Sequence, residues 1–302
     1  MSTYREIHGG RVNVVSSNPS NPQDGEVWYN STLGQLKGYV LGTAAWSSLP
    51  SLGTGRYNAS GAGDSTSALV FGGGPGALAD TEEYNGSSWS EQNNLSTGRR
   101  IAGSFGTQTA AVMFGGFLNT GPTSDTNITE EYDGSSWTNG GSLNTTRLGS
   151  GGAGILTAGL GISGYLQPGA TTAVEEYNGT AWTTVNSCGT ARYDGGSAGI
   201  QTAALSFAGR PGVSPPTNGV SATTEEYDGT NWTTGGSLAT AKTTNSGSGT
   251  QTLALSYGGN PGDGPSFSST ELYNGTSWSA NQNMGTGRSF MAEGPKGGSV
   301  GV

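Results

Sequence analysis

One nonapeptide is written five times along this chain. TEEYNGSSW ends at Trp89, TEEYDGSSW at Trp137, VEEYNGTAW at Trp182, TEEYDGTNW at Trp232 and TELYNGTSW at Trp278. Self-similarity at a fixed period constrains a fold more than any local propensity, because each unit must bury its faces against copies of itself. Aligned on tryptophan, Trp46 joins the set, and successive members lie 43 to 50 residues apart. Ten residues after each stands a base: Arg56, Arg99, Arg147, Arg192, Lys242 and Arg288. Six residues after each comes a mostly apolar position, Leu52, Leu95, Leu143, Cys188, Leu238 and Met284.

Within a unit the pattern reads as four short strands. Ile101 to Phe105 is the first, and Thr109 to Phe114 the second, closed by Gly115-Gly116. ITEEY is the third, and the stretch around Trp137 the fourth. Asn-Gly or Asp-Gly between Tyr and Trp predicts a hairpin with a type I′ turn, which needs positive φ twice. No segment holds a helical period. Four-stranded units at this spacing imply an all-β chain folded as a β-propeller.

The order base, apolar run, Gly-Gly, Tyr, Trp resembles the kelch repeat, with Asn/Asp-Gly replacing the usual proline-bearing turn. Five units are complete, and Arg288 opens a sixth that lacks its Tyr and Trp. GYVLGTAAW, ending at Trp46, is a unit's end without its beginning. The expectation is a six-bladed kelch-like propeller over 25–302, closed by pairing N- and C-terminal strands, behind a short arm at 1–24. EVWYN (26–30) or Ser299 to Val302 would supply the closing blade's second strand.

Composition fits a core of small residues and aromatics. The chain of 302 residues has 56 Gly and is only 31% hydrophobic and 11% charged, yet it carries 7 Trp, 12 Tyr and 7 Phe. Disordered chains are poor in aromatics. A net charge of -9 with no basic run argues against nucleic acid. The absence of any apolar run near 18 residues argues against membrane insertion. The start MSTYREIHGG lacks a secretory pattern, and the lone Cys188 excludes a disulfide framework.

Candidate chemistry is mostly absorbed by the repeat. One acid per copy, Glu82, Glu130, Glu175, Glu225 and Glu271, matches one base per unit, Arg56, Arg99, Arg147, Arg192 and Arg288 with Lys242 in the series. These read as structural bridges, because a catalytic carboxylate belongs to one blade and not to all. Asn85-Gly86-Ser87 and Asn178-Gly179-Thr180 match the glycosylation sequon but read as turns. The run from Gly149 to Gly154 fits a dinucleotide pattern that requires a following helix, which is not readable here. His8 and Cys188 alone cannot build a zinc site or a Cys–His pair. No cofactor and no catalysis are expected. Loops between second and third strands vary, all on one face, and variable loops on a rigid scaffold carry binding. The candidates there are Asp80, Phe117, Asp125, Tyr165, Arg210, Asp263 and Phe267, with calcium a lesser role for the three aspartates.

NPSNPQDGEVWYNSTLGQLKGYV is similar to a segment of virion proteins of tailed phages, especially those infecting marine cyanobacteria. In those proteins GEVWYN, a turn and LK form a β-hairpin near a fibre or baseplate attachment. The EEYNGSSW array is similar to arrays in the same viruses. The resemblance implies a virion protein made in the host cytoplasm and oligomeric in its assembly. Residues 1–24, with the strand-like RVNVV, would dock on other virion proteins by adding a strand. The propeller would face host surface glycans or a receptor. A tail fibre or adhesin is the leading version, with capsid decoration or baseplate as alternatives. A carbohydrate-active propeller is the alternative from another class.

Overall fold

In the computed structural model, residues 13–17, 27–32, 34–38, 46–121, 124–212 and 219–292 are described. The chain forms two compact units, Met1–Ala45 and Trp46–Val302. All regular structure among the described residues is strand or turn.

The first unit holds β1 (Asn13–Val15), β2 (Val27–Asn30) and β3 (Gln35–Gly38) in one sheet of that order. β2 and β3 form an antiparallel hairpin that pairs Trp28 with Lys37, and β1 lies parallel to β2. Along β2, Trp28 and Asn30 are buried and Tyr29 is exposed, the alternation a one-sided sheet requires. The EVWYN stretch therefore pairs with its own unit and supplies no blade. The strand in RVNVV has its partner within this chain too. The rest of the arm, and Ser299 to Val302, lie outside the described residues.

The second unit is a β-propeller of five four-stranded blades, where the unit count implied six. Blade 1 is β4 (Ser60–Gly63), β5 (Ala68–Phe71), β6 (Thr81–Tyr84) and β7 (Trp89–Gln92). Blade 2 is β8 (Gly103–Thr107), β9 (Ala110–Phe114), β10 (Thr129–Tyr132) and β11 (Trp137–Asn139). Blade 3 is β12 (Gly151–Ile155), β13 (Ala158–Leu166), β14 (Gly169–Tyr177) and β15 (Trp182–Val185). Blade 4 is β16 (Gly196–Ile200), β17 (Ala203–Phe207), β18 (Thr224–Tyr227) and β19 (Trp232–Gly235). Blade 5 is β20 (Ser246–Gly249), β21 (Ala254–Tyr257), β22 (Thr270–Tyr273) and β23 (Trp278–Asn281). Every blade is an antiparallel meander in sequence order.

The sixth place is marked at the axis. Six backbone hydrogen bonds close a ring there: Ile101 donates to Asn58, Gly149 to Ile101, Asp194 to Gly149, Thr244 to Asp194, Phe290 to Thr244 and Asn58 to Phe290, at 2.7–3.0 Å. All six residues have φ between 52° and 61°. Ile101 is thus an axial turn residue, and the first strand of its blade starts two residues later than its apolar pattern implies. Phe290 holds the sixth station without a described sheet behind it. Trp46 serves the same station, resting on Tyr257 at 5.7 Å and donating to the Gln282 carbonyl at 2.9 Å.

Neighbouring blades are joined by three recurring pairs. In three blades the Trp packs on the aromatic ending the preceding blade's second strand: Trp137 on Phe71, Trp182 on Phe114 and Trp278 on Phe207, at 4.8–4.9 Å. The indole N–H donates to Thr81, Thr129 and Thr224 of that same blade, each at 2.9 Å. The Tyr hydroxyl donates to the second Glu of the preceding copy, Tyr132 to Glu83 and Tyr227 to Glu176 at 3.0 and 3.1 Å, and likewise Tyr177 to Glu131 and Tyr273 to Glu226. The third pair is a Gln in the turn after the first strand. Gln108, Gln201 and Gln251 each donate to two carbonyls of the preceding blade.

Crowding at the axis explains the glycine content. A Cβ on Gly152 would sit 2.2 Å from the Ser104 carbonyl oxygen of the next inner strand, which no side chain survives. The outer hairpin is not a type I′ turn. Only its Gly has positive φ, 88–91° across the five copies. The preceding Asn or Asp instead accepts two backbone N–H groups with its side-chain oxygen, as Asp133 does from Ser135 and Ser136, both at 2.8 Å. This is an Asx turn, and it explains why Asn and Asp interchange while their length does not. The same bonds hold the Asp133 carboxyl down, to about 2.

Candidate functional site

Each blade's acid and base meet in a buried bridge. Arg147 reaches Glu175 at 3.0 Å, Arg192 reaches Glu225 at 2.8 Å and Lys242 reaches Glu271 at 3.3 Å; Arg56–Glu82 and Arg99–Glu130 are closer. The carboxylate also accepts backbone N–H groups from the link entering its blade, Gly53 and Thr54 for Glu82 and Gly189 and Thr190 for Glu225. The guanidinium donates to carbonyls at the end of the second strand and the start of the third, as Arg192 does to Ala208 and Thr223. These carboxylates hold one link and two strands together, and Glu175 Oε1 and Glu271 Oε1 meet their bases as ion pairs without a hydrogen bond. Arg288 differs: it is exposed, and no bridge to it occurs among the described residues, because the station it opens has no described Glu-bearing strand. Cys188 is buried at a Leu position beside Ser163, and burial pushes its thiol up.

The face carrying the variable loops is where blades differ. The residue after each base pairs by its backbone with the residue after the Gly-Gly turn: Tyr57 with Gly74, Arg100 with Phe117, Leu148 with Tyr165, Tyr193 with Arg210 and Thr243 with Asn260. These bridges fix a rim around the axis. The Arg100 guanidinium stands 5.3 Å over the Phe117 ring, with its Nε lacking a partner. Tyr165 meets Tyr193 edge-on at 5.2 Å, and Tyr57 is 46% exposed. Arg210 donates to the Gly262 carbonyl at 2.9 Å, crossing to the next blade.

The other loop candidates are dispersed. Asp80 is half-buried and accepts from Asn94 at 3.3 Å, and its carbonyl serves Arg56. Asp125 pairs by its backbone with Phe117, and burial raises its carboxyl. Asp263 is exposed, and Phe267 is half-buried, its backbone tied to Gly259 and Arg288. The three aspartates stand in separate loops, and no group of three or more His, Cys, Asp or Glu suited to a metal occurs among the described residues. His8 lies outside them. Gly149 to Gly154 runs from the axis into β12, with no helix after it.

Sequence reasoning named Phe117, Tyr165 and Arg210 of this rim but missed Tyr57, Arg100 and Tyr193, because the rim positions recur while the residue types at them change from blade to blade. It also missed two axial groups, Asp194 and Asn245. Both line a cavity of about 70 Å³ together with Asn58, Ile101, Ser150 and Phe290. The Asp194 carboxyl is raised to about 6 by burial, against the opposing pull of Arg210. The signal available was the base-plus-two position, which reads Asn, Ile, Gly, Asp, Thr, Phe and carries a charge only once.

No protein-family model and no curated protein matches the chain.

Proposed function

We propose that this protein is a non-enzymatic interaction module of a tailed-phage particle, a propeller displayed for binding through the loop face. The carrying observation is a division of labour. Residues repeated in register are consumed in bridges, Trp–aromatic contacts and turns, whereas the residues that differ form the half-exposed rim of Tyr57, Arg100, Phe117, Tyr165, Tyr193 and Arg210. Aromatic faces with arginine at the edge suit contact with a host surface or a neighbouring subunit. The kelch-like character of the repeat, and closure of the ring between its two terminal segments, belong to the same proposal.

The virion assignment draws on the GEVWYN hairpin, which in this chain is β2–β3 with β1 alongside. The first unit would dock on other virion proteins, giving an oligomer within the particle; tail fibre or adhesin is preferred over baseplate or capsid decoration. Nucleic acid, membrane, cofactor and turnover have no part in this reading. Cryo-electron microscopy of intact particles, with the chain traced by its five-bladed ring, tests it. Particles that lack the protein, or that incorporate it equally well without residues 1–45, overturn the role.

Carbohydrate binding is the second reading, favoured by the same rim, since sugar rings stack on tyrosine and phenylalanine faces. A glycan array with the purified protein decides it. Binding lost in Arg100→Ala and Tyr193→Ala supports it, and an array without signal removes it.

A further inference from the structure

Four Asn-Gly pairs lie among the described residues. In three of them the asparagine opens the outer hairpin of a blade: Asn85-Gly86, Asn178-Gly179 and Asn274-Gly275. The fourth, Asn139-Gly140, ends β11. An asparagine followed by glycine is open to attack on its own side chain, because glycine places no Cβ beside its amide nitrogen. All four asparagines are exposed, so exposure does not separate them. Hydrogen bonding does.

In the three outer turns Oδ1 accepts two backbone N–H groups. These come from Ser87 and Ser88 at 3.0 and 2.9 Å for Asn85, from Thr180 and Ala181 at 2.9 Å each for Asn178, and from Thr276 and Ser277 at 3.0 and 2.9 Å for Asn274. The asparagine's own N–H is spent across the turn, on the carbonyl of Ser88, Ala181 or Ser277. None of the described hydrogen bonds takes the N–H of Gly86, Gly179 or Gly275, or the side-chain amide nitrogen of the three asparagines. At the fourth pair the arrangement is reversed. The Gly140 N–H donates to the Thr129 carbonyl at 3.0 Å, and no described bond reaches the Asn139 Oδ1.

Donors fixed on an oxygen stabilise the charge that develops on it during reaction. Oδ1 gains that charge when the glycine nitrogen adds to Cγ, and the three turns hold two donors on it in advance. The attacking nitrogen must first give up its proton, which an N–H bonded into a sheet resists.

We propose that Asn85, Asn178 and Asn274 are sites of spontaneous deamidation promoted by their turn, and that the fold protects Asn139. The glycine nitrogen loses its proton to solvent base and bonds to Cγ. The Cγ–Nδ2 bond breaks, and the nitrogen takes a proton from water and leaves as ammonia. Water then opens the cyclic imide, at Cγ to give aspartate or at the main-chain carbonyl to give isoaspartate. The aspartate product has a place ready, since Asp133 and Asp228 hold the same turn in blades 2 and 4 and accept the same pair of N–H groups at 2.6–2.8 Å. Each conversion adds one negative charge to a chain that carries -9. The proposal is independent of the loop-face reading, because these turns join third to fourth strands and use none of the rim side chains.

The test is incubation of the folded full chain at mildly alkaline pH, with peptide mapping by mass spectrometry over time. Asn85, Asn178 and Asn274 should each convert about tenfold faster than Asn139 or more, the factor that corresponds to ~1.4 kcal/mol and lies within the range for one backbone hydrogen bond. The same incubation in concentrated urea removes both the turns and the Thr129 bond, and there the four rates should converge. Equal rates at all four sites in the folded chain overturn the proposal, as do intact amides at the three turns. A gap that persists in urea overturns it too, since flanking sequence and not the fold would then set the rates.

Discussion

Replacing Arg192 by Met should destabilise the propeller by about 3–5 kcal/mol, because it leaves a carboxylate buried without its counter-charge. Glu225 is 5% exposed, and its remaining partners would be the Gly189 and Thr190 N–H groups. Glu225→Leu should cost as much for the mirror reason and additionally strands those two donors. The informative variant is the double one. With both charges gone, what is lost is the hydrogen bonding of two N–H groups and of the Ala208 and Thr223 carbonyls. At about 1–3 kcal/mol for each buried group left unsatisfied, relieved where water enters, roughly 2–5 kcal/mol should remain. The double variant should thus be about as stable as either single one, with a coupling of roughly 3–5 kcal/mol in the cycle. Urea or thermal unfolding followed by tryptophan fluorescence measures this, and a unit of this size should shift by about 2–4 °C per kcal/mol. A single variant within about 1 kcal/mol of wild type would show that water reaches the pair. A double variant as stable as wild type would show that the bridge does not carry the backbone, which would refute its assignment as the staple between link and blade.

Val174 stands where other blades have the Thr that accepts an indole N–H, and the Trp232 Nε1 is left without a partner; Val174→Thr should stabilise by about 1 kcal/mol in denaturant titration. Lys242→Arg should also stabilise, since Lys242 sits 3.3 Å from Glu271 and lacks the guanidinium's reach to the strand carbonyls; a lower melting temperature would show the pocket is shaped for lysine. Tyr227 and Tyr273 are each raised to about 12 by burial and their Glu partners, and Tyr132 and Tyr177 are raised by the same causes. The folded state holds these protons more tightly than the unfolded chain, whose phenols titrate near ~10, so stability is full below that pH and falls as pH rises toward about 12; tyrosinate absorbance should appear together with unfolding rather than before it. Asp133 has the opposite sign: its stabilising turn should persist above the ordinary carboxyl range and fail as pH drops through about 2, and Asp133→Asn should remove that acid dependence.

The period of the repeat is legible because every blade solves the same packing problem, so Trp, Tyr, Glu and the base recur at fixed offsets. The acid–base pairing is legible for the same reason, and the lysine in the series marks its weakest member. Three features are not legible. The outer turn looks like type I′ because Asn-Gly and Asp-Gly serve both turn types, and only the φ of the first residue separates them. The Gln clamps at 108, 201 and 251 escape notice because blade 3 has Leu156 and blade 1 a Ser-Thr pair at the corresponding turn. The number of blades escapes because ring closure depends on pairing between distant ends. Local pattern cannot distinguish a strand that completes a blade from one, like β2, that pairs within a separate sheet.

The sixth station shows which of the inter-blade devices a ring can drop. Trp46 keeps the tryptophan contact with the preceding aromatic, now Tyr257, and redirects its N–H from a Thr hydroxyl to the Gln282 carbonyl. Thr270, the hydroxyl it would have used, donates to that same carbonyl. The Tyr–Glu pair is gone from this side: the second Glu of the last copy is Leu272, so no charged acceptor points toward a neighbour without a tyrosine to fill it. On the far side Trp89 meets no preceding aromatic among the described residues; it packs on its own blade's Tyr84 at 5.1 Å and donates to the Pro50 carbonyl. What stays unchanged all the way round is the backbone ring at the axis, which needs no particular side chain. Side-chain devices thus set the strength of each blade interface, while the six-membered ring sets the angular spacing. A chain with five complete sheets can therefore still hold the geometry of a six-part ring.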